Sequence, residues 1–193
     1  MDKKTLISAC LITLFMSACN FKTEDKTQTL LMDNENFHAE IDGKKVDLFT
    51  LDNGKGLSVQ ISNYGGKMVS IIFPDKHGEA GDICLGYESL DAYVKGSASL
   101  GATIGPFANR IANAMFELDG MIYRLDKNNG ENMIHGGSAS FRSKVWDVIK
   151  VEKDLLTLSI LSGDGAGGFP GNLRLTVTYS LGPDNDLKIQ YHA

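Results

Sequence analysis

From about residue 46 onward, hydrophobic and polar positions alternate in short runs broken by turn-forming residues. Val46, Leu48 and Leu51 open the first such pattern. Leu57, Val59 and Ile61 alternate with Ser58, Gln60 and Ser62, the period of a strand with one wet face. Asn63-Tyr64-Gly65-Gly66 is a turn signal, and the dense apolar run from Met68 to Phe73 suits a strand covered on both faces. Phe116-Glu117-Leu118 and Met121-Ile122-Tyr123 flank Asp119-Gly120, whose residues accept the positive φ angles of a two-residue hairpin turn. Val145 to Val151 and Leu155 to Leu161 predict a second hairpin turning at Glu152 to Asp154. Asn172 to Leu181 alternates strictly, and Gly182-Pro183-Asp184-Asn185 turns it towards Leu187, Ile189 and Tyr191. Only Ser89 to Val94 predicts a helical turn. Many short strands at roughly ten-residue intervals predict an all-β chain, an antiparallel β-sandwich or barrel. The last strand pattern reaches the terminus at His192-Ala193 without a return strand, so the domain is expected to be C-terminally truncated.

The start of the chain follows other rules. Lys3 and Lys4 precede an apolar stretch, Leu6 to Phe15, too short to span a bilayer. Met16-Ser17-Ala18-Cys19 then resembles the lipobox of bacterial lipoproteins, with Met16 where Leu is more usual. The resemblance implies cleavage before Cys19, acylation of its thiol and attachment to a membrane of the bacterial cell envelope, on the periplasmic or outer-membrane face. An ordinary secretory signal ending near a cysteine is the alternative. The expected division is therefore a signal peptide over 1–18, a polar tether over 19–36 and a β-domain over 37–193. With Cys10 removed and Cys19 acylated, Cys84 is left alone, which excludes an intrachain disulfide; it reads as a small buried hydrophobe in a strand.

The net charge of -5 argues against a nucleic-acid partner. No His/Cys/carboxylate grouping has metal-ligand spacing, so no metal is predicted. Candidate chemistry gathers in the segment GPFANRIANAMFELDGMIYRLDKNNGENMIHGG, Gly105 to Gly137. Two polar clusters, Asn109-Arg110 and Asn132 with His135, flank the Asp-Gly hairpin. Arg110 has few carboxylates nearby and reads either as a fork of donors for sugar oxygens or as a surface arginine. His135, before Gly136-Gly137, reads either as a proton carrier or as a structural loop histidine. His38, His77 and His192 read as surface residues. Phe169-Pro170-Gly171 presents an aromatic face for a sugar ring or for the core edge, and Trp146 reads as core.

Together with FRSKVWDV and GDGAGGFPGNLRLTVTYSL, that segment resembles the N-terminal half of the aldose 1-epimerase (galactose mutarotase) family, from about Val46 to the end. The resemblance implies a galactose mutarotase-like supersandwich that interconverts the α and β anomers of free aldohexoses without a cofactor. It places Asn109 and Arg110 against the sugar and makes His135 the first of two site histidines, orienting substrate and stabilising charge. Pro106 departs from the pattern, since many members carry Arg there. In the family the histidine acid, a sugar-binding aspartate and the glutamate base lie beyond the stretch resembling Leu173 to Ala193. The 193 residues alone are therefore expected to be weakly active or inactive. The alternatives are a non-catalytic carbohydrate-binding lipoprotein, a sugar-phosphate epimerase, which needs more cations than Arg110, and a lipid-anchored scaffold.

Overall fold

The computed structural model describes residues 29–193. The expected signal peptide, Cys19 and the first part of the tether lie outside the described residues. Strands β1 (Ala39–Ile41) and β2 (Lys44–Val46) form a small hairpin about Asp42-Gly43, both with positive φ. Next come β3 (Leu48–Asp52), β4 (Ser58–Ser62), β5 (Lys67–Pro74) and β6 (Ala80–Asp82), each antiparallel to its neighbour, which make one four-stranded sheet. Helix α1 (Leu90–Lys95) takes the place of the helical turn predicted for Ser89 to Val94, and the Ser89 hydroxyl caps it by accepting from the Ala92 amide. Strand β7 (Arg110–Ile111), the hairpin of β8 (Met115–Leu118) and β9 (Met121–Arg124), and β10 (Met133–Ile134) follow. Strands β11 (Asp147–Val151), β12 (Leu155–Ser162), β13 (Leu173–Leu181) and β14 (Leu187–His192) close the chain as a second four-stranded meander.

The two meanders pack face to face. Leu51, Val59 and Ile61 from the first meet Leu156, Leu158, Val177 and Tyr179 from the second, with Phe141 and Trp146 between them. This is the predicted all-β antiparallel sandwich, and burying these side chains is its main stabilising term. The Tyr179 hydroxyl crosses the interface and donates to the Gly66 carbonyl at 2.7 Å; burial pushes its pKa up to about 12.

A second cluster covers the other face of the first sheet. Phe37, Val46, Leu48, Tyr64, Val69, Leu90, Tyr93 and Val145 are its buried members. The one-wet-face expectation for β4 is therefore corrected: every residue of that strand is buried. Its polar face has internal partners in place of water. Gln60 accepts from the Met32 amide at 2.7 Å and donates to the Met32 carbonyl at 3.0 Å, as a neighbouring strand would. Part of the expected tether is thereby docked, since Met32 packs on this cluster and the 3-10 turn Asn34–Phe37 buries Phe37.

Cys84 is also corrected. It lies past β6, half-buried, between exposed Ile83 and Leu85. The Asp82 carboxylate ends the ladder by accepting from the Ile71 and Cys84 amides, so the apolar run 83–85 is not in a sheet. Burial, and then the Asp82 charge, raise the Cys84 thiol pKa.

Candidate functional site

Strands β7 and β10 are two residues each, with Ile111 opposite Met133 and Arg110 opposite Ile134. The next pair outward is Asn109 and His135. The His135 amide donates to the Asn109 carbonyl at 3.0 Å, and the Asn109 amide donates to His135 Nδ1 at 3.1 Å. Because Nδ1 accepts, the neutral ring carries its proton on Nε2, and that N–H is the group it can offer a ligand. Both residues sit at positive φ, 64° for Asn109 and 56° for His135. Two non-glycine residues in this sparsely populated region are held there by the reciprocal bonds.

Arg110 is exposed, yet fixed from two sides. Its Nε donates to Asn129 Oδ1 at 2.9 Å and its Nη1 to Asn109 Oδ1 at 3.3 Å. Both partners are neutral amides, and among the described residues no carboxylate pairs with Arg110 or His135. The guanidinium keeps its charge and most of its donors for a ligand. Asn109, Arg110 and His135 thus stand at one end of a short ladder, as the sequence reading requires.

The rest of the cluster is scaffolding. Asn128 mimics a strand neighbour, accepting from the Ile134 amide at 2.7 Å and donating to its carbonyl at 2.9 Å. Asn132, grouped with His135 on sequence, instead accepts from the Asn113 amide at 3.0 Å. Gly136 needs its lack of Cβ: at φ 85° an added methyl would meet the Gly105 carbonyl and Pro106 Cδ. Asn128 and Asn129 were missed because Asn-Asn-Gly reads only as a turn.

Beside Arg110 opens a cavity of about 520 Å³, walled by Pro106, Phe107, Ile111, Phe116 and Phe169. Phe169 packs on Phe116, their centroids 6.1 Å apart, so its ring serves the core edge and the cavity wall together. A further cavity of about 630 Å³ lies beside β12, with Lys44, Asp147 and Ser162 in its wall, and none of the three candidate residues lines it.

The two packed antiparallel meanders, with a polar triad on the loops of a short ladder, place the chain in the galactose mutarotase-like class of sandwiches. A solved aldose epimerase homologue from C. elegans superposes with a TM-score of 0.73 at 31% identity, over 76% of this chain and 45% of that one. A galactose 1-epimerase from Lactobacillus acidophilus gives 0.70 at 29% identity, over 80% of this chain and 46% of that one. The aldose 1-epimerase family model matches residues 47–193, and the chain belongs to that family. It is 37% identical over 152 residues to an aldose 1-epimerase of Escherichia coli K12, covering 79% of this chain and 44% of that protein. Against a human galactose mutarotase the identity is 35% over 151 residues, 78% of this chain and 43% of that one. The chain spans less than half the length of these curated relatives.

Proposed function

We propose that this chain carries the substrate-holding part of an aldose 1-epimerase site and binds free aldohexoses such as galactose or glucose through Asn109, Arg110 and His135. The observation that carries the reading is the Asn109–His135 pair, which joins imidazole, amide and guanidinium in one cluster of hydrogen bonds. A sugar presents oxygens with lone pairs on every side. Arg110 supplies a planar fork of donors, His135 Nε2–H a further donor, and the Asn109 amide nitrogen another. Phe107 and Phe169 offer apolar surface beside them for the C–H face of a pyranose.

The names of the relatives, aldose 1-epimerase and galactose mutarotase, point to anomer exchange. In that reaction a base takes the C1 hydroxyl proton while an acid protonates the ring oxygen. The ring opens to the aldehyde, C1–C2 rotates, and the ring closes on the other face. Donors fixed before the sugar arrives stabilise charge developing on its oxygens. Arg110 and His135 take that part here. The acid and base have no counterpart in the resemblance within these 193 residues. Each is worth about a hundred- to ten-thousand-fold, so this chain alone is expected to accelerate mutarotation little. Polarimetry of freshly dissolved α-D-galactose checks this. Fast relaxation, lost in His135→Ala, would show that the chain is catalytically complete.

Among the described residues no carboxylate pairs with Arg110 or His135, which favours a second reading, a carbohydrate-binding module that holds sugar without turning it over. Calorimetric binding without optical relaxation is its signature. The reading further includes lipidation of Cys19 and attachment to the cell envelope, motivated by Met16-Ser17-Ala18-Cys19. Metabolic labelling with a fatty acid is expected to mark the wild type and not Cys19→Ala; equal label on both would remove this element.

A further inference from the structure

Lys67 opens β5 and is only 3% exposed, and the Arg110 cluster does not use it. Its amine lies 4.1 Å from the centroid of the Tyr64 ring and 5.7 Å from that of Tyr93. It donates to the carbonyls of Tyr64, at 3.3 Å, and Arg142. These dipoles and the ring face hold an ammonium, but none carries a full negative charge. Arg142 stands beside it. Its Nη1 donates to the Ser97 carbonyl at 2.7 Å and to the Ser99 hydroxyl at 2.9 Å, while Nε and Nη2 have no partner among the described residues. Both cations line a cavity of about 160 Å³, with Tyr64, Tyr93 and Ser143 in its wall. At about 30 Å³ per water, that is room for roughly five waters or one small ion.

No carboxylate among the described residues pairs with either cation. Asp42 acts on Tyr64 from the β1–β2 turn, and Asp82 and Cys84 act on Tyr93 from the end of β6, but none of these lines the cavity. Burying the Lys67 ammonium beside the partly exposed Arg142 guanidinium without a counter-charge is unfavourable, and a bound anion removes the imbalance. We propose that this cavity binds a small doubly charged oxyanion of the sulfate or phosphate class, gripped between the Lys67 ammonium and the free edge of the Arg142 guanidinium.

Linkage gives the proposal a signature. Burial first, and the Arg142 charge second, push the Lys67 amine from its ordinary 10.5 down to about 7. A dianion favours the ammonium, so protonation and binding support each other. Affinity is full below about pH 7 and falls as pH rises through that value. Sulfate keeps its charge across this range, which makes it the probe.

The test is calorimetry of the wild-type protein with sodium sulfate, against sodium chloride at matched ionic strength, near pH 6 and near pH 8.5. Saturable one-to-one binding is expected at the lower pH, weaker by about tenfold or more at the higher. Arg142→Gln, at a half-exposed position, should weaken it at least tenfold. Lys67→Met should weaken it and remove the pH dependence, and Arg110→Ala should leave it intact. Sulfate no better than chloride, equal binding by Arg142→Gln, equal affinity at the two pH values, or loss in Arg110→Ala would each overturn the proposal. The first three outcomes leave the sugar reading standing. The pH series on wild type and Arg142→Gln decide the matter even if Lys67→Met does not fold.

Discussion

Truncating Trp146 to alanine is expected to cost about 3–5 kcal/mol of unfolding free energy, the range for removing a buried aromatic side chain. Trp146 is 1% exposed and lies at the centre of the cluster between the two meanders. Its ring meets Phe141 edge-on at 5.8 Å, and its Nε1 donates to the Phe141 carbonyl at 3.2 Å. Collapse cannot fill the space, because the walls are strands locked in their own ladders. The effect also reaches the candidate site. The Phe141 amide donates to the Gly105 carbonyl at 3.1 Å, and Gly105 starts the segment that carries Asn109 and Arg110. Urea denaturation followed by circular dichroism measures the loss, since this is the only tryptophan and its fluorescence disappears with it. Trp146→Phe should cost less than half as much. A change below about 1 kcal/mol for Trp146→Ala would place the residue outside the core, against the packing described.

Arg110→Ala is expected to weaken galactose binding between ten- and a hundredfold. A hydrogen bond from a charged donor contributes about 1.5–3 kcal/mol, and about 1.4 kcal/mol is tenfold in affinity. Stability should barely change, because the side chain is exposed and its partners Asn109 and Asn129 can turn to water. Arg110→Lys should recover little of the loss. Its point charge cannot keep the Asn129 contact and grip two sugar oxygens together. Calorimetry with galactose reads the affinity, and urea denaturation of the same variants checks that the fold is intact. Unchanged affinity in Arg110→Ala would remove the guanidinium from the site.

The sandwich was legible because a long strand such as β13 turns its apolar residues to one face. Leu173, Leu175, Val177 and Tyr179 alternate over nine residues of β13, enough for period 2 to stand out. Asp119-Gly120 was legible because single residues decide backbone geometry there; the helical turn from Ser89 was legible too, but not its hydroxyl cap. Asp42-Gly43 makes the same kind of turn and was overlooked, since Lys44 and Lys45 give its flanking strand little apolar pattern. The second covered face of β4 was hidden for a different reason. Ser58, Gln60 and Ser62 look wet, and only the fold shows that Met32 and Thr50 take the place of water on Gln60.

At the candidate site, residue types were legible and geometry was not. Strands of two residues, β7 and β10, carry no period, so the Asn109–His135 pairing could come only from the resemblance or from coordinates. The Asn129 brace on Arg110 is a side-chain contact across 19 positions, which no local pattern encodes.

The most direct test follows the Arg110 Nε–H and His135 Nε2–H signals by nitrogen-edited NMR while galactose is added. If one pyranose is held by both groups, the two signals move together and saturate with a single affinity. If one stays fixed, or the two titrate with different affinities, guanidinium and imidazole do not share a ligand, and the sugar-holding role fails.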